Sequence, residues 1–170
     1  MVDAAEAALI AELAKKSGVC WVGVDGQTHP VWHVWLDDAM YVVSGGTEQP
    51  LPRLEDATVT VTLRSRDGGG RLVTWPAAVS RLTRDDPDWV SITAALVAAR
   101  LNLPDPATAA EGWASGSVVH RLQPAGDLVE GPGALSDESH AAPPVATPAT
   151  TRGRLPRVLH RRVRRRPKLS

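Results

Sequence analysis

The chain has 170 residues and a hydrophobic fraction of 43%, which is enough for one domain with a real hydrophobic core. No apolar run approaches the roughly 18 residues of a membrane span, and the acidic N-terminus does not resemble a signal peptide. Cys20 is the only cysteine, which excludes an internal disulfide, so we expect a cytoplasmic protein. Sixteen arginines against three lysines indicate a GC-rich genome, as in actinobacteria.

The net charge of zero conceals two oppositely charged regions. All 19 acidic residues lie at or before Glu138, whereas nine of the 19 basic residues lie between Arg152 and Lys168. An acidic body is not typical of a nucleic-acid-binding fold, but the basic end can contact nucleic acid or an anionic surface. The sequence therefore predicts a folded domain at 1–125, a Pro/Ala/Thr-rich linker at 126–151 and a disordered basic tail at 152–170.

The first half of the domain is predicted to be a helix followed by a β-meander. Residues 3–16 form the helix, because Asp3 and Glu6 have capping-box spacing and apolar residues follow at helical intervals. Turn-forming residues then separate five strand-like segments between Gly18 and Leu82. These segments are VCWVGV, HPVWHVWL, MYVVS, TVTVTLRSR and RLVTWPAAVSRL. Because the last is long and contains Pro76, we expect it to bend and to join both halves of a small barrel.

The second half of the domain is predicted to hold two helices and a sixth strand. Asp86 is a plausible N-cap, with Pro87 at the first helical position of the segment that ends near residue 102. A shorter helix follows at residues 107–114, and SVVHRLQP forms the last strand. The prediction is a mainly β protein with flanking helices.

This layout resembles the split β-barrel of the pyridoxamine 5′-phosphate oxidase-like family, which has flavin-binding and deazaflavin (F420)-binding branches. The resemblance is carried by HPVWHVWLDDAMYVVSGG, ATVTVTLRSRDGGGRLVTWPAAVSRL and SVVHRLQPAG, and it covers about residues 5 to 125. It implies a six-stranded antiparallel barrel and a homodimer with cofactor sites at the subunit interface. It also implies FMN or F420 as the cofactor and oxidoreductase activity on a small molecule.

The resemblance also implies which residues contact the cofactor. The ring would lie beside the second strand, and the phosphate beside the turn that follows the third strand. The corresponding residues are His33, Val34 and Trp35 for the ring and Ser44, Gly45 and Thr47 for the phosphate. Arg71, which opens the fifth strand, corresponds to a polar residue near the reactive edge of the ring.

The chain departs from the family pattern at the phosphate turn. Many members carry a basic residue there, often lysine, whereas this chain has Glu48 and Gln49. Two like charges at ~4 Å repel by about 1 kcal/mol even in water. Arg53, Arg64 or Arg66 can replace the missing cation as a bidentate phosphate partner, and we assign Arg64 to the cofactor site. The alternative hypothesis is a degenerate or cofactor-free split barrel that binds a ligand without redox activity.

The remaining reactive residue types do not form a catalytic set. His29 and His33 lie four residues apart in an extended segment, so their Cβ atoms are ~13 Å apart and cannot share a metal ion. Cys20 has the pattern of a buried strand residue, and Ser44 is not in a nucleophile elbow. We therefore predict no metal site and identify no catalytic side chain.

Overall fold

The computed structural model describes residues 3–55 and 57–136, which form three helices and seven strands. In chain order these are α1 (Ala4–Lys16), β1 (Val19–Val24), β2 (Gln27–Trp32), β3 (Val34–Leu36), β4 (Ala39–Ser44), β5 (Val59–Arg64), β6 (Arg71–Leu82), α2 (Trp89–Ala99), α3 (Ala109–Gly116) and β7 (Val118–Pro124). The strands form one antiparallel sheet in the order β2-β1-β5-β6-β7-β4-β3. The predicted basic tail, and the linker beyond residue 136, lie outside the described residues.

The two edge strands of this sheet, β2 and β3, are consecutive in the chain and separated only by His33. β2 pairs with β1 up to Trp32, and β3 pairs with β4 from Val34 onwards. The sheet therefore curls until its two edges meet at His33, which marks the seam of a split barrel. The prediction of six strands was wrong because the segment HPVWHVWL changes its pairing partner at this residue.

Strand β6 joins both halves of the barrel, as the sequence predicts. Residues Arg71–Ala77 pair with β5, and residues Ala77–Leu82 pair with β7. Pro76 lies at this changeover, where its lack of an N–H removes a ladder donor. Its carbonyl oxygen accepts a hydrogen bond from the backbone N–H of Ala125 at 2.8 Å.

Strand β4 lies between two hydrophobic cores. All six of its residues are buried, so both of its faces are covered. Met40 and Val42 belong to the core inside the barrel, which also holds the fully buried Trp75. Tyr41 and Val43 belong to the second core, where β4 packs against α2 and α3. Successive side chains of a strand point to opposite faces, so β4 connects the barrel interior to the helical layer.

The three predicted helices are present, but several boundaries differ: α2 ends at Ala99 rather than near residue 102, and α3 spans Ala109–Gly116 rather than residues 107–114. In α1 the Asp3 side chain accepts hydrogen bonds from two backbone N–H groups of the first turn, as expected for an N-cap. α2 begins at Trp89 rather than at Pro87. The Asp86 carboxylate instead accepts hydrogen bonds from the backbone N–H and the hydroxyl of Thr83, so it closes a turn before the helix.

Residues 126–136, which the sequence assigns to the linker, contact strand β6. Glu130 forms an isolated bridge with Thr74, and the backbone N–H of Val129 donates to the Thr74 carbonyl at 2.8 Å. Arg71 forms a largely buried ion pair with Glu130 at 3.0 Å. Over residues 3–55 and 57–136, no helix has the length and apolar character needed to cross a membrane.

Candidate functional site

A groove of about 540 Å³ lies at the seam of the barrel, and we call it the seam groove. The end of α1, the start of β1, the β2–β3 junction and the end of α2 form its walls. Its lining residues are Ala14, Lys15, Lys16, Ser17, Gly18, Val19, Trp32, His33, Val34, Trp35, Ala99, Arg100 and Leu101. This volume is within the range of roughly 300–1,000 Å³ that is typical of small-molecule sites.

The seam groove combines aromatic walls with positive charge. Trp32 and Trp35 supply the aromatic surface, and Lys15, Lys16 and Arg100 supply three cations, with no acidic residue among the described residues of the lining. Lys16 forms an exposed ion pair with Glu12 within α1, so its charge is partly compensated. The surface suits a ligand with flat apolar faces and an anionic group.

Two groove residues, Trp32 and Arg100, are held by the buried carboxylate of Glu48. Its Oε2 atom accepts a hydrogen bond from Trp32 Nε1 at 3.0 Å and another from Arg100 Nε at 3.2 Å. Its Oε1 atom accepts one from Trp113 Nε1 at 3.3 Å. The Arg100 guanidinium lies 5.3 Å from the centre of the Trp32 ring, within cation–π range. One carboxylate therefore fixes an aromatic wall and a cation of the groove together.

This network explains the acidic residue at the turn after β4. The Glu48 side chain is only 3% exposed, and a carboxylate buried to that extent is stable only when it is paired and hydrogen-bonded. Both of its oxygens are already engaged by indole and guanidinium donors. Glu48 thus connects the turn to β2, α2 and α3, and its charge is balanced inside the protein by Arg100.

His33 connects the barrel seam to the end of α1. The residue is 5% exposed, and its Nε2–H donates a hydrogen bond to the Ala14 carbonyl at 3.1 Å. Burial lowers the pKa of His33 to about 4, and the bond to Ala14 opposes this shift only in part. The buried Nδ1 atom has no hydrogen-bond partner among the described residues. His33 is therefore neutral at pH 7.

Of the eight residues predicted to contact the cofactor, three line the seam groove: His33, Val34 and Trp35. All three lie at or directly after the point where the chain changes its strand partner, between the two sheet edges. The structure brings these three residues together with the cations of the groove.

The three residues predicted to contact the phosphate are not among the described lining residues of the groove. Ser44 is buried and shares a hydrogen bond with Nε2 of His120 at 3.0 Å. The Gly45 carbonyl accepts a hydrogen bond from the Ser117 hydroxyl at 3.0 Å, and Thr47 is exposed in the turn. Ser44 and Gly45 therefore connect β4 to β7 and to the end of α3.

The two predicted arginines also lie outside the seam groove. The Arg64 guanidinium stacks over the ring of Trp21, 4.5 Å from its centre, and lines a neighbouring cavity. Arg71 pairs with Glu130 at 3.0 Å and donates a hydrogen bond to the Ser136 carbonyl at 2.7 Å. Arg71 therefore attaches residues 130–136 to β6.

Sequence reasoning missed the three cations of the groove. Lys15 and Lys16 stand in the last turn of α1, where a basic residue is already expected to complement the helix dipole. Arg100 follows α2 directly and reaches the groove only because α2 packs beside β3. The one signal in the sequence was the acidic Glu48 at the turn after β4, whose partner in the structure is Arg100.

Other reactive groups in the described residues do not add a catalytic set. No group of three or more His, Cys, Asp or Glu side chains within residues 3–55 and 57–136 could hold a metal ion. Cys20 is fully buried inside the barrel, and burial raises the pKa of its thiol. The Ser44–His120 pair is buried as well.

No protein-family model matches the chain, and the search for curated relatives found none. Several solved structures are similar to it, among them the following three. The heme storage protein HutZ of Vibrio cholerae has 16% identity and a TM-score of 0.53, and the match covers 71% of this chain and 91% of that one. An FAD-binding protein of Mesorhizobium loti has 14% identity, coverage of 71% and 88%, and a TM-score of 0.45.

The third structure is a protein of the pyridoxinephosphate oxidase family from Clostridium acetobutylicum, related to general stress protein 26 of B. subtilis. It has 9% identity, coverage of 72% and 85%, and a TM-score of 0.46. At these identities the similarity concerns the fold alone. The match to HutZ supports the overall fold, and in this chain the sheet curls until its two edge strands meet at His33. The chain therefore has a split β-barrel fold.

Proposed function

We propose that the seam groove binds a planar anionic cofactor of the flavin or deazaflavin class, FMN or F420, and that the protein is an oxidoreductase acting on a small molecule. The observation that carries this proposal is a groove with two indole walls, three cations and no acidic residue among its described lining residues. A cofactor of this class supplies hydride transfer when it is bound, and the protein supplies binding and orientation.

The residues of the groove fit such a cofactor. Trp35 and Val34 would hold the ring, since an indole and a β-branched side chain offer flat apolar contact area. Arg100 would pair with the phosphate, because Glu48 holds its guanidinium at a fixed position beside Trp32 while the side chain stays 31% exposed. The phosphate partner would then come from the end of α2, and not from the turn after β4.

A homodimer forms part of the proposal, with the second subunit covering the groove. Leu101 and Val19 line the groove, yet Leu101 is 78% exposed and Val19 is 46% exposed. Large exposed apolar side chains next to charged residues favour contact with another protein surface. A second copy would bury them and would exclude water from a ring bound between the subunits.

Titration of the full-length protein with FMN, F420 and riboflavin tests the proposal. Trp35→Ala should weaken the binding of FMN and riboflavin alike by at least tenfold, because both share the ring. Arg100→Gln should lower the ratio of FMN affinity to riboflavin affinity by about tenfold, since of these two ligands only FMN carries the phosphate, whereas the loss of the charge opposite Glu48 affects both ligands alike. Arg84→Gln, which removes an exposed cation outside the groove, is the matched control. If neither FMN nor F420 binds, the proposal is wrong.

A second function is a split-barrel binding module without redox activity, and the state of Glu48 favours it. The turn after β4 has no lysine for a phosphate, and its acidic residue is committed to Trp32, Trp113 and Arg100. Gln49→Lys discriminates between the two functions. A gain in FMN affinity would indicate a degenerate site at the turn, whereas unchanged affinity would agree with a phosphate held by Arg100. Mass spectrometry of the small molecule that co-purifies identifies the natural ligand.

A further inference from the structure

A second cavity of about 560 Å³ lies next to the seam groove, on the other side of the segment Ser17–Val19. We call it the arginine cavity. Its lining residues are Ser17, Gly18, Val19, Trp21, Arg64, Ser65, Arg66 and Gly69. Because the two cavities share three lining residues, ligands in them would lie side by side.

Arg64 is held in a fixed orientation in this cavity. The register between β5 and β6 shifts between Leu63 and Arg64, and such an irregularity redirects the side chain that follows it. The Arg64 guanidinium stacks on the Trp21 ring at 4.5 Å, and its buried Nε atom has no hydrogen-bond partner in the described part of the chain. Stacking on one face leaves the donor edge of the guanidinium available for a planar, bidentate partner.

The turn after β5 completes the wall of the cavity. The backbone N–H of Ser65 donates to the Gly70 carbonyl at 2.7 Å, and the N–H of Gly69 donates back to the Ser65 carbonyl at 2.9 Å. The Ser65 hydroxyl also accepts a hydrogen bond from the N–H of Gly68 at 3.2 Å. The glycine-rich turn is thus closed on itself, and it presents the exposed Arg66 to the cavity that Arg64 lines.

The charge of the arginine cavity is uncompensated. Neither Arg64 nor Arg66 forms an ion pair with a residue of the described ranges, and no acidic residue is among the described lining residues. Ten basic residues precede the basic tail, and five of them line this cavity or the seam groove. Half of these basic residues therefore line two adjacent cavities. Lys16 and Arg100 are paired with Glu12 and Glu48, so the uncompensated charge that attracts an anionic ligand includes both arginines of this cavity.

We propose that the arginine cavity binds the phosphate group of a ligand, with Arg64 as the bidentate partner and Arg66 as the second cation. The phosphate belongs either to the molecule in the seam groove or to a separate phosphorylated substrate beside it. The proposal does not depend on a flavin in the groove, since the cavity has its own lining, and an inorganic probe tests it alone.

Calorimetric titration of the full-length protein with pyrophosphate tests this site. Arg64→Gln should weaken a saturable binding event by at least tenfold, and Arg66→Gln by about threefold, because the loss of a charge-assisted hydrogen bond has an effect of this order. Arg53→Gln removes an equal charge from an exposed side chain outside the cavity and should change the affinity by less than twofold. The basic tail is present in every variant, so any pyrophosphate that it binds itself is the same in all of them.

Equal weakening by Arg64→Gln and Arg53→Gln, or the absence of saturable binding, would overturn the proposal. Arg66 is exposed, so its variant remains informative if Arg64→Gln lowers stability. Competition then identifies the source of the phosphate. If FMN displaces pyrophosphate and riboflavin does not, the phosphate belongs to the groove ligand, and its partner is Arg64 rather than Arg100. If FMN and pyrophosphate bind together, the cavity takes a separate substrate.

Discussion

The carboxylate of Glu48 lies 3.0 Å from the indole nitrogen of Trp32, although the two residues are sixteen positions apart in the chain. The same oxygen also accepts a hydrogen bond from Arg100, so one acidic side chain sets the position of two residues in the candidate site. Neutralising Glu48 should therefore affect both the fold and the groove.

We expect Glu48→Gln to lower the free energy of unfolding by about 2–3 kcal/mol. Glutamine keeps one acceptor oxygen, but its amide N–H group then faces an indole or guanidinium donor, so at least one hydrogen bond is lost. A hydrogen bond to a charged group contributes roughly 1.5–3 kcal/mol. Urea denaturation followed by tryptophan fluorescence measures the loss. Glu111→Gln is the matched control, because the Glu111–Arg84 pair is exposed and such pairs contribute about 1 kcal/mol at most. Equal losses in the two variants would contradict a structural role for the Glu48 network.

The Glu48 network also shows why the site was only partly predictable. Features that depend on neighbouring residues could be read from the sequence: the Asp3 cap acts on the next turn, and the hairpin turn at Asp25–Gly26 needs only local backbone preferences. The partners of Glu48 lie 16, 52 and 65 residues away, and no local pattern specifies such contacts. Its acidic character was visible in the sequence, but its burial was not.

The predicted number of strands was wrong for a related reason. Alternation of side chains identifies an extended segment, but it does not show which strand each part pairs with. Residues on both sides of His33 are extended, so the sequence predicts one strand where the structure has two edge strands. The change of pairing partner along β6 was predictable because Pro76 carries a local signal, namely the missing N–H.

Acid should destabilise the protein through His33. The pKa of this residue is lowered from an ordinary value of 6.5 to about 4, so between these values the unfolded chain binds more protons than the native state. The contribution of His33 to the free energy of unfolding is complete above pH 6.5 and is lost as the pH falls toward 4. Since one pKa unit corresponds to 1.36 kcal/mol, we expect a loss of about 2 kcal/mol between pH 7 and pH 5.

His33→Gln isolates this effect, because glutamine can still donate to the Ala14 carbonyl but does not titrate. Chemical denaturation at several pH values should show a shallower pH dependence in this variant than in the wild type. Burial also lowers the pKa of His120, which makes the same contribution to the pH dependence of the free energy of unfolding in both proteins. If the free energy of unfolding of this variant depends on pH as steeply as that of the wild type, His33 is not the acid-sensitive group.

The proposed dimer can be tested at the rim of the groove. Leu101→Glu should convert a dimer into a monomer and weaken FMN binding by at least tenfold, because a charge at the centre of an apolar contact must be desolvated. Light scattering after size-exclusion chromatography measures the mass. Val90→Glu is the control, since Val90 is 75% exposed on α2 and does not line the seam groove. If Leu101→Glu stays dimeric with unchanged affinity, the groove does not lie at the subunit interface.

The turn that carries Glu48 should tolerate no side chain at Gly46. This residue has φ of +62°, and a Cβ atom added to it would lie 2.7 Å from the carbonyl oxygen of Gly116 and 2.7 Å from the Ser117 hydroxyl. Gly26 has a similar φ of +77° but no atom within 4 Å of its added Cβ, so Gly26→Ala reports the backbone cost alone. We expect a loss of about 1 kcal/mol for Gly26→Ala and of about 3 kcal/mol or more for Gly46→Ala, because steric overlap adds to the backbone strain.

Denaturation measures both losses, and the FMN titration of the two variants connects them to the site. Glu48 lies two residues after Gly46, so a shift of the turn would displace Glu48 and the Arg100 guanidinium that it holds. Gly46→Ala should therefore weaken FMN binding more than riboflavin binding. Gly26→Ala, in the β1–β2 hairpin, should leave the ratio of the two affinities unchanged. If Gly46→Ala lowers stability but keeps the ratio, the turn stabilises the fold without positioning the cation of the groove.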